Sequence, residues 1–599
     1  MAVPPVEGEP PAKAPINDIL DKSSISTGNN LPIPPATEPP ADNMKTTTGP
    51  TTTTVPTPPD AEEKPSPTPF QTTPRFWAII IGLGVSTLLA SLEHTVVTTA
   101  APYILQDLDM RSDFIWITNA FFVCSTALTP LFGQLCNIFG RRPVFLAIIA
   151  LFTLGSGICG GARSGGMLIA GRAIQGAGSG GIVLTVNIIV SDLCPLRLRG
   201  QYMAVILAIF GIGVAIGPFI GGAIAQSSTW RWVFYINLPI GGLSLVVMFL
   251  FLRVNYVNEG SLWDKLRRID LVGNGILMAG TTAILYALTY AGSVYPWSSW
   301  HTLVPLLLGF LGLGLFAGYE ASGFVSEPVM PVRLFKHRTS IIVLINTFLN
   351  SVIYFWYLYF LPVYFQAVSL YSPIRAGYSL LPQAVAGIPG AMLAAISLSR
   401  WGKFKPIHLV GFAFSTLGMG LLSMLNEETS IAEWAVFQII IALGIAIVID
   451  TLLPAFQAPV PETDQAAATS AWSFIRAFGS IWGVAIPAVV FNNRIDQRLS
   501  IVSDPRAREL LGNGGAYQQA SANFVGQFSP QVQNEIRAVY TSALHRVFWI
   551  GAIFAGLAWL LVFIEREVPL RKELETEYGI EKEKDGEKTD TEKGGGSEK

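Results

Sequence analysis

Residues 76–98 read FWAIIIGLGVSTLLASLEHTVVT, an apolar run whose only formally charged residue at neutral pH is Glu93. A helix needs about 20 such residues to cross the hydrocarbon layer of a bilayer. Further runs of this kind follow along the chain, and because lipid cannot satisfy open backbone groups, each is predicted to be a helix. The chain is therefore predicted to be an all-α membrane protein with fourteen transmembrane helices. These are expected at 76–98, 114–132, 143–162, 166–190, 201–225, 232–252, 271–290, 301–319, 340–365, 376–398, 407–425, 434–457, 467–491 and 545–563.

The composition excludes several other classes of protein. Of the 599 residues, 51% are apolar and 13% are charged, against roughly 25% charged in a soluble protein. A large soluble enzyme and a disordered scaffold are both excluded by this shortage of charge. The formal net charge of −2 gives no sign of nucleic-acid binding. The four cysteines form no Cys-x-x-Cys pair, so we expect no disulfide framework, metal site or cofactor.

Both ends of the chain differ from this apolar middle. Residues 1–75 are rich in Pro and Thr, and residues 565–599 carry mixed charge. Such segments bury too little apolar surface to offset the entropy cost of ordering, so we expect two disordered tails. No apolar core lies near Met1, and a cleaved secretory signal is not expected.

Basic residues predict the orientation of the helices. Loops on one side of the predicted membrane carry 14 Lys and Arg, whereas the short loops on the other side carry four and the longer segment 492–544 carries five. Cytoplasmic loops are enriched in Lys and Arg. Both termini are therefore expected in the cytoplasm.

A short turn occurs twice in the chain. Phe139-Gly140-Arg141-Arg142-Pro143 follows the second predicted helix, and Trp401-Gly402-Lys403-Phe404-Lys405-Pro406 follows the tenth. Duplicated halves are typical of transporters. We therefore expect a six-helix bundle at 76–252, two inserted helices with their loops at 253–339, and a second six-helix bundle at 340–564.

Charged side chains inside the predicted helices are candidate functional groups, because burying an ion at mid-membrane costs at least about 2.5–3.5 kcal/mol. Glu93 and Arg172 both lie roughly 8–10 Å below the outer surface at about 1.5 Å per residue, so they are predicted to come within reach as a proton-coupling pair. Asp450 and Arg476 form a possible second pair. For both pairs the alternative is a purely structural role in helix packing. His94 is expected to be a hydrogen-bonded neighbour rather than a proton relay.

The fifth predicted helix is rich in glycine and contains a proline. Glycines four residues apart allow close helix approach, and Pro218 removes a helix hydrogen bond and favours a kink. A helix of this kind suits one side of a cavity that opens and closes, although tight packing alone is the alternative. The residues in question are Gly213, Gly217, Pro218, Gly221 and Gly222.

The sequence does not predict nucleotide binding. Residues 176–181 fit G-x-G-x-x-G, but they lie inside a predicted membrane helix with no preceding strand. No G-x-x-x-x-G-K-[S/T] motif occurs, so no ATP site of that type is expected. The chain is predicted not to be an enzyme. An ion gradient, or the gradient of the substrate itself, would then supply the energy for transport.

Taken together, these stretches resemble the major facilitator superfamily in its fourteen-helix drug:proton antiporter branch, most closely the fungal members, over about residues 76–565. The resemblance is carried by Leu92-Glu93-His94-Thr95-Val96-Val97 with Ala101-Pro102, by the loop Gly133–Arg142, by Arg172, Gln175, Gly176 and Gly178, by the glycines of the fifth helix, by Trp230–Pro239, and by Pro362, Tyr364, Gln366, Gly377, Leu381 and Pro382. Glu93 stands where this branch usually has Asp. Asn137 also stands where an Asp is usual.

The resemblance implies two six-helix bundles around a central cavity, with two added helices between them. It assigns proton coupling to Glu93 and Arg172, and an antiporter role to the fifth helix. The signature loop associated with gating has Gly133, Asn137, Gly140, Arg141 and Arg142. Candidate residues of the substrate cavity are Phe121, Gln175, Tyr357 and Gln366. Other aromatic side chains could either line the cavity or face lipid and pack, namely Phe122, Tyr354, Phe355, Trp356, Tyr359 and Phe360.

The expected function is proton-coupled efflux of amphipathic organic compounds, such as drugs, fungicides or a secondary metabolite or toxin. The expected partners are this small molecule, protons and the bilayer, with neither ATP nor nucleic acid, and the chain is expected to be a monomer. The plasma membrane is the expected location, with the vacuolar membrane as the alternative. Alternative functions are a carrier of basic amino acids or siderophores with the same fold, and a membrane receptor that transports nothing.

Overall fold

A computed structural model describes residues 73–108, 115–253, 261–291, 295–325, 327–512 and 514–571. Most of the two tails predicted to be disordered therefore lies outside the described residues. The described end of the C-terminal tail is packed against the bundle: Glu565 is buried, and Glu567 accepts hydrogen bonds from the backbone N–H groups of Phe404 and Lys405. The charged tail predicted from residue 565 thus begins with a segment that is held by the second bundle.

The described part of the chain contains fourteen long helices. It has no β-strand and one isolated β-bridge, between Ala291 and Tyr295. Thirteen of the helices are long and apolar enough to cross a membrane. The fourteenth, α5, is 29 residues long. The helices are α1 Pro74–Asp107, α2 Ile115–Phe139, α3 Arg141–Gly160, α4 Gly165–Leu193, α5 Arg199–Ser227, α6 Asn237–Phe251, α7 Leu271–Tyr290, α8 Trp300–Ala321, α9 Arg338–Val363, α10 Leu381–Trp401, α11 Lys405–Leu422, α12 Ile431–Gln457, α13 Gln465–Arg498 and α14 Pro530–Val562.

Shorter helical segments join or precede some of these helices. They are Trp232–Tyr235, Leu262–Arg267, Val332–Phe335, Tyr364–Val368, Pro373–Ser379, Glu462–Asp464, Leu499–Ile501, Pro505–Leu511, Gly515–Tyr517 and Ala522–Val525.

The last helix shows where hydropathy misplaces a boundary. It was expected at residues 545–563, but α14 begins at Pro530. Its first turns carry Glu535 and Arg537, so they lack the apolar signal used to find membrane spans. A helix can continue into water beyond the bilayer, and hydropathy reports only the part that is apolar throughout.

Two groups of six helices account for most of the packing. In the first, α1 packs on α5 and α6, while α4 packs on α2 and α3. In the second, α12 packs on α10 and α11, and α13 and α14 pack on α9. Helices α7 and α8 pack on each other, and α7 also contacts α2 and α13. This is the expected fold of two six-helix bundles with two inserted helices. The proposed domain limits at 76–252, 253–339 and 340–564 stay predictions.

The inserted helices are tied to the first bundle through Gln134. Its side-chain Oε1 accepts hydrogen bonds from Asn274 Nδ2 at 2.8 Å and from the backbone N–H of Asp270 at 3.3 Å. Its Nε2 donates to the carbonyl oxygen of Glu327 at 2.8 Å. One amide thus connects α2 to the start of α7 and to the segment that follows α8.

The duplicated turn has the same backbone feature in both halves. Gly140 has φ 89° between α2 and α3, and Gly402 has φ 66° between α10 and α11. A side chain is strained in this left-handed region, whereas glycine adopts it freely. The face of the molecule on which these two turns lie also carries Arg141, Arg197 and Lys405, and we call it the basic face.

A second polar contact joins α1 to the connection before α6 on the opposite face. Asp107 accepts hydrogen bonds from Trp230 Nε1 at 3.0 Å and from Arg231 Nη1 at 2.9 Å. These hydrogen bonds, that of Trp230 first, hold the pKa of Asp107 below its usual value. The start of the Trp230–Pro239 segment is therefore hydrogen-bonded to the end of α1.

The glycines of α4 explain the pattern that resembles a nucleotide-binding loop. A Cβ on Gly176 would lie 2.2 Å from the carbonyl oxygen of Phe121, and one on Gly180 would lie 2.2 Å from that of Ser125, both in α2. A Cβ on Gly178 would lie 2.6 Å from the backbone nitrogen of Phe152 in α3. The glycines let α4 pack directly against the backbones of two neighbours.

We predict that Gly176→Ala destabilises the protein, because the added methyl group meets backbone that cannot move aside cheaply. Forcing an extra methyl into a close-packed site costs about 1–3 kcal/mol. The expected result is a lower Tm of the detergent-purified protein. The matched control is Gly166→Ala, since nothing lies within 4 Å of a Cβ at that position of the same helix. Equal Tm values for the two variants would contradict this account of the α4 packing.

Candidate functional site

Glu93 on α1 and Arg172 on α4 form an ion pair inside the first bundle. The Glu93 side chain is 0% exposed and that of Arg172 is 2% exposed. The structure thus brings together the two charges whose depths along their helices suggested a contact. A buried ion pair stabilises only when further hydrogen bonds satisfy the remaining atoms.

Those hydrogen bonds are present around both side chains. Asn237 Nδ2, at the start of α6, donates to Glu93 Oε2 at 2.6 Å. Arg172 Nε donates to the carbonyl oxygen of Ile117 at 2.8 Å, and Arg172 Nη1 donates to Gln175 Oε1 at 2.8 Å. The charge of Arg172 is therefore shared between a carboxylate, an amide and a backbone carbonyl.

An outer layer of contacts orients this site. Gln175 Nε2 donates to Ser156 Oγ at 2.8 Å, which leaves the amide oxygen of Gln175 directed at Arg172. The guanidinium carbon of Arg172 lies 4.4 Å from the centre of the Phe121 ring, a cation–π contact. The candidate cavity residues Phe121 and Gln175 are thus both part of the charged site.

Asn237 was not singled out from the sequence. It lies in the Trp230–Pro239 segment, where its position suggested a family pattern but no chemistry. A usable signal was present, since Asn237 is the one amide in a helix whose only other polar side chain is that of Ser244. Polar side chains at such positions usually bond across helices.

The signature loop forms a second buried ion pair. Arg141 Nε donates to Asp192 Oδ2 at 2.7 Å, and Arg141 Nη1 donates to the carbonyl oxygen of Cys136 at 3.2 Å. Arg142 Nη2 donates to the carbonyl oxygen of Phe249 at 2.6 Å. Asp192 was missed because helix four was predicted to end at residue 190, whereas α4 continues to Leu193.

Two further loop residues have clear surroundings. A Cβ on Gly133 would lie 2.4 Å from Ser470 Oγ of α13, so the first bundle approaches the second closely here. Asn137 is half-buried and makes no side-chain hydrogen bond with the residues that the structure describes. The gating roles of Gly133, Asn137, Gly140, Arg141 and Arg142 stay predictions.

The glycines of α5 lie against α1 close to Glu93. A Cβ on Gly213 would lie 1.9 Å from Ser91 Oγ, and one on Gly217 would lie 2.0 Å from Thr95 Oγ1. Thr95 Oγ1 also donates to the carbonyl oxygen of Val214 at 3.1 Å. Gly221 is buried, and the helix continues through Pro218 and Gly222, whose surroundings lie outside the described part of the structure.

A cavity lies between the two bundles. It encloses about 1490 Å³ of empty space, including its opening to solvent. Its walls come from α1, α2, α4 and α5 on one side and from α9, α12 and α13 on the other. Both bundles therefore contribute side chains to one shared space.

The walls of the cavity mix aromatic, hydroxyl and charged side chains. The aromatic side chains are Phe122, Phe210, Tyr354, Phe355 and Trp472, and the hydroxyl groups include Thr87, Ser125, Thr126, Thr129, Ser179, Ser191, Ser351, Ser473 and Ser480. The ionisable side chains besides tyrosine are His94, Arg199, Asp450 and Arg476. This is an amphipathic lining.

Asp450 and Arg476 face this cavity but do not touch each other. The two interact electrostatically, yet they form no ion pair. Asp450 is 6% exposed, and its Oδ2 atom has no hydrogen-bond partner among the described residues. The guanidinium carbon of Arg476 lies 5.1 Å from the Trp472 ring.

The structure does not place the four candidate cavity residues in the cavity wall. Phe121 and Gln175 surround Arg172, as described above. Tyr357 is buried in the core of the second bundle, and Gln366 is half-buried in the segment Tyr364–Val368. From the wider aromatic set, Phe122, Tyr354 and Phe355 do line the cavity, whereas Trp356 and Phe360 lie in the same core as Tyr357 and Tyr359 packs partly buried against it.

His94 lines the cavity next to the buried ion pair in sequence. Its ring lies 5.3 Å from that of Phe121 and 5.4 Å from that of Phe122. It lines the cavity, while the neighbouring residue Glu93 lies behind it. The proton-pair candidate and the cavity are thus adjacent along one helix.

Polar contacts close the cavity at the basic face. Arg199 Nη1, at the start of α5, donates at 2.8 Å to Gln457 Oε1 of α12 and at 2.8 Å to Gln465 Oε1 of α13. Gln457 Nε2 donates to Ser191 Oγ of α4 at 3.1 Å. Gln201 Nε2 donates to Ser399 Oγ at 2.8 Å, which adds α10 to the contact.

This closure could not be read from the sequence. Arg199 was counted there only as a loop charge, and its partner Gln457 is 258 positions away. Two residues of this kind carry no shared pattern along the chain.

Fourteen long helices in two bundles around an amphipathic cavity define a multi-pass membrane protein of the transporter class. Residues 83–484 match the family model described as Major Facilitator Superfamily. The chain is 58% identical over 530 residues to the MFS-type transporter TwmF of Talaromyces wortmannii, covering 88% of this chain and 96% of that one. It is 42% identical over 525 residues to the MFS-type efflux pump LUC4 of Fusarium sp., covering 87% and 93%.

A solved structure has the same fold. The proton:xylose symporter XylE matches with a TM-score of 0.53 at 13% identity, over 83% of this chain and 98% of that one. The family model and the two relatives show that the chain belongs to the Major Facilitator Superfamily.

We predict that Glu93→Gln lowers stability more than the double change Glu93→Gln with Arg172→Gln. The single variant leaves the Arg172 charge buried without its counter-charge, and breaking a buried pair costs about 3–5 kcal/mol. Removing both charges avoids that cost. Thermal unfolding of the purified proteins measures the order. A double variant that is less stable than the single one would contradict a net electrostatic role for the pair.

Proposed function

We propose that this chain is a proton-coupled exporter of amphipathic organic compounds, and that its cargo is a secondary metabolite, with drugs or fungicides as further substrates. The observation that carries the proposal is the buried Glu93–Arg172 pair directly behind the wall of an amphipathic cavity. The names of the relatives, a transporter and an efflux pump, support export as the direction.

The proton binds at the carboxylate of Glu93. Protonation removes the negative charge that faces Arg172, so Arg172 is left with neutral hydrogen-bond acceptors only: Gln175, the Ile117 carbonyl and the carbonyl oxygen of the neutral carboxyl group. The hold between α1 and α4 weakens. Because α1 also carries His94 and Thr87 in the cavity wall, the change reaches the cargo site.

The glycines of α5 allow α1 to move along α5 while the two helices stay in close contact. Gly213 and Gly217 allow α1 and α5 to approach closely at the level of Glu93. The Arg199 contacts close the cavity at the basic face, which is the cytoplasmic face in this proposal. In this proposal the described conformation is the one that is closed toward the cytoplasm.

The energy available is sufficient for export. One proton moving through one pH unit and about 100 mV releases roughly 3.7 kcal/mol. In a one-for-one exchange this sustains a gradient of about 500-fold for a neutral cargo. We place the protein in the plasma membrane as a monomer with both termini in the cytoplasm.

The charges of the cavity argue against a carrier of basic amino acids. Such a cargo needs an excess of acidic groups in its site. Among the described lining residues the only carboxylate is Asp450, whereas two arginines, Arg199 and Arg476, face the same space. A siderophore carrier and a receptor remain distinguishable from an exporter by measuring the direction and the proton dependence of flux.

We expect Glu93→Gln to abolish transport that is driven by a pH gradient. The measurement is efflux of a lipophilic fluorescent dye in proteoliposomes with an imposed pH gradient. The side chain keeps its size but can no longer gain and lose a proton. The matched control is Glu320→Gln, a buried acid on α8 whose Oε1 accepts hydrogen bonds from Val329 and Met330.

Full gradient-driven transport by correctly inserted Glu93→Gln would overturn the assignment of the proton site. Loss of transport in both variants would point to a general effect of removing buried acids, and would equally count against it.

We expect Arg199→Ala to open the cavity toward the basic face. The reporter is Ser473→Cys in the cavity wall, introduced with Cys124→Ser because Cys124 is the only native cysteine that is not fully buried. A membrane-impermeant thiol reagent added on the basic side should label the reporter faster in Arg199→Ala, since the contacts to Gln457 and Gln465 are gone.

Arg494→Ala serves as the control, because Arg494 lies near the far end of α13 and bonds to Ser542 instead. Equal labelling rates from the basic side in all three proteins would show that Arg199 does not hold the closure.

A further inference from the structure

The cavity has two oppositely charged side chains that make no hydrogen bond with the residues that the structure describes. Asp450 on α12 and Arg476 on α13 line the same space, interact electrostatically and form no ion pair. Neither side chain makes a hydrogen bond with the described residues, and Asp450 Oδ2 is among the buried atoms that have no partner. Leaving a buried polar atom unsatisfied costs about 1–3 kcal/mol, and more for a charged group.

Two other charged sites make hydrogen bonds. Glu93 accepts from Arg172 and Asn237. Arg199 donates to Gln457 and Gln465, while its Nη2 atom, which has no hydrogen-bond partner among the described residues, lies 3.8 Å from Glu462 Oε2. Asp450 and Arg476 make no such contacts. Their unused hydrogen-bonding capacity is directed to whatever occupies the cavity.

We propose that Asp450 and Arg476 together bind the polar head of the cargo, and that this head carries a hydrogen-bond donor beside an acceptor without net charge, as an amide or a lactam does. This inference rests on the proposed export function and specifies the class of its substrate. A carboxylate only accepts hydrogen bonds, and a guanidinium only donates them. A head group with one donor and one acceptor satisfies both at once.

Charged head groups fit this pair less well. A permanent cation would meet Arg476, and an anion would meet Asp450, each as a like charge in a partly desolvated site. Each would satisfy one side chain and oppose the other. The site thus favours neutral polar heads.

The apolar body of the cargo has a place next to this head site. The ring of Trp472 lies beside Arg476, and Tyr354 and Phe355 of α9 face the same cavity. Across the cavity, Phe122 and Phe210 provide the opposite wall. His94 is the remaining ionisable group there besides Arg199, and it packs among aromatic rings.

The test uses three probes with one pyrene body and different heads: pyrenebutanamide, pyrenebutanoate and a pyrenebutyl trimethylammonium ion. Binding to the full-length purified protein is measured by fluorescence anisotropy. We expect the amide to bind at least about tenfold more tightly than either ion, a difference that one charge-assisted hydrogen bond can produce.

The two variants are expected to shift selectivity in opposite directions. Asp450→Asn should improve binding of the carboxylate relative to the amide by about tenfold, because the like charge is gone. Arg476→Gln should improve binding of the ammonium ion relative to the amide for the same reason. A structural role for the pair would weaken all three probes together. Asp496→Asn and Arg494→Gln are the matched controls, since both lie on α13 outside the cavity lining.

The inference is overturned if the three probes keep the same relative affinities in both variants, or if the unaltered chain binds either ion as tightly as the amide. Should a variant fail to fold, the order of the three probes on the unaltered chain decides. Gradient-driven transport of the probes in proteoliposomes separates this inference from the proposed function. Transport without head-group selectivity would reject the head site alone, whereas selective binding without any gradient-driven transport would reject proton-coupled export alone.

Discussion

A hydrocarbon layer solvates neither an open backbone group nor a charge, and this constraint shapes every level of the molecule. It makes the spanning segments helical. It also requires each buried ion to find partners within the protein. The ion pair of Glu93 and Arg172 meets that requirement with Asn237, Gln175 and the Ile117 carbonyl. The four helices α1, α2, α4 and α6 are thereby organised around one acid.

The close packing of α4 against α2 and α3, and of α5 against α1, makes this arrangement possible. Arg172 can reach a backbone carbonyl of α2 only because glycines bring α4 to within contact of that helix. Gly213 and Gly217 play the same part between α5 and α1. The glycine pattern that resembled a nucleotide-binding loop is thus a packing surface, and its period places glycines alternately toward α2 and α3.

Local properties of the sequence were sufficient to predict the helices, because apolarity and length are read residue by residue. Depth along a helix follows from counting residues, so the contact between Glu93 and Arg172 was within reach. The direction in which a side chain points around its helix is not given by counting. Phe121 and Phe122 are neighbours, yet one lies on Arg172 and the other lines the cavity. Contacts such as Arg199 to Gln457 depend on how two bundles meet, which no local pattern encodes.

The two charge pairs differ in their hydrogen bonding and in their access to the cavity, and we assign them different roles. Glu93 and Arg172 are fully bonded and closed off from the cavity, so their state changes only when a proton arrives. Asp450 and Arg476 line the cavity without a hydrogen bond to the described residues, so in our proposal their state changes when a cargo arrives. Helix α1 connects the two, because Glu93 lies in the first site and the adjacent residue His94 lies in the wall of the second. A shift of α1 that follows protonation must therefore reshape the cavity, and this shared helix is the physical basis for coupling in our proposal.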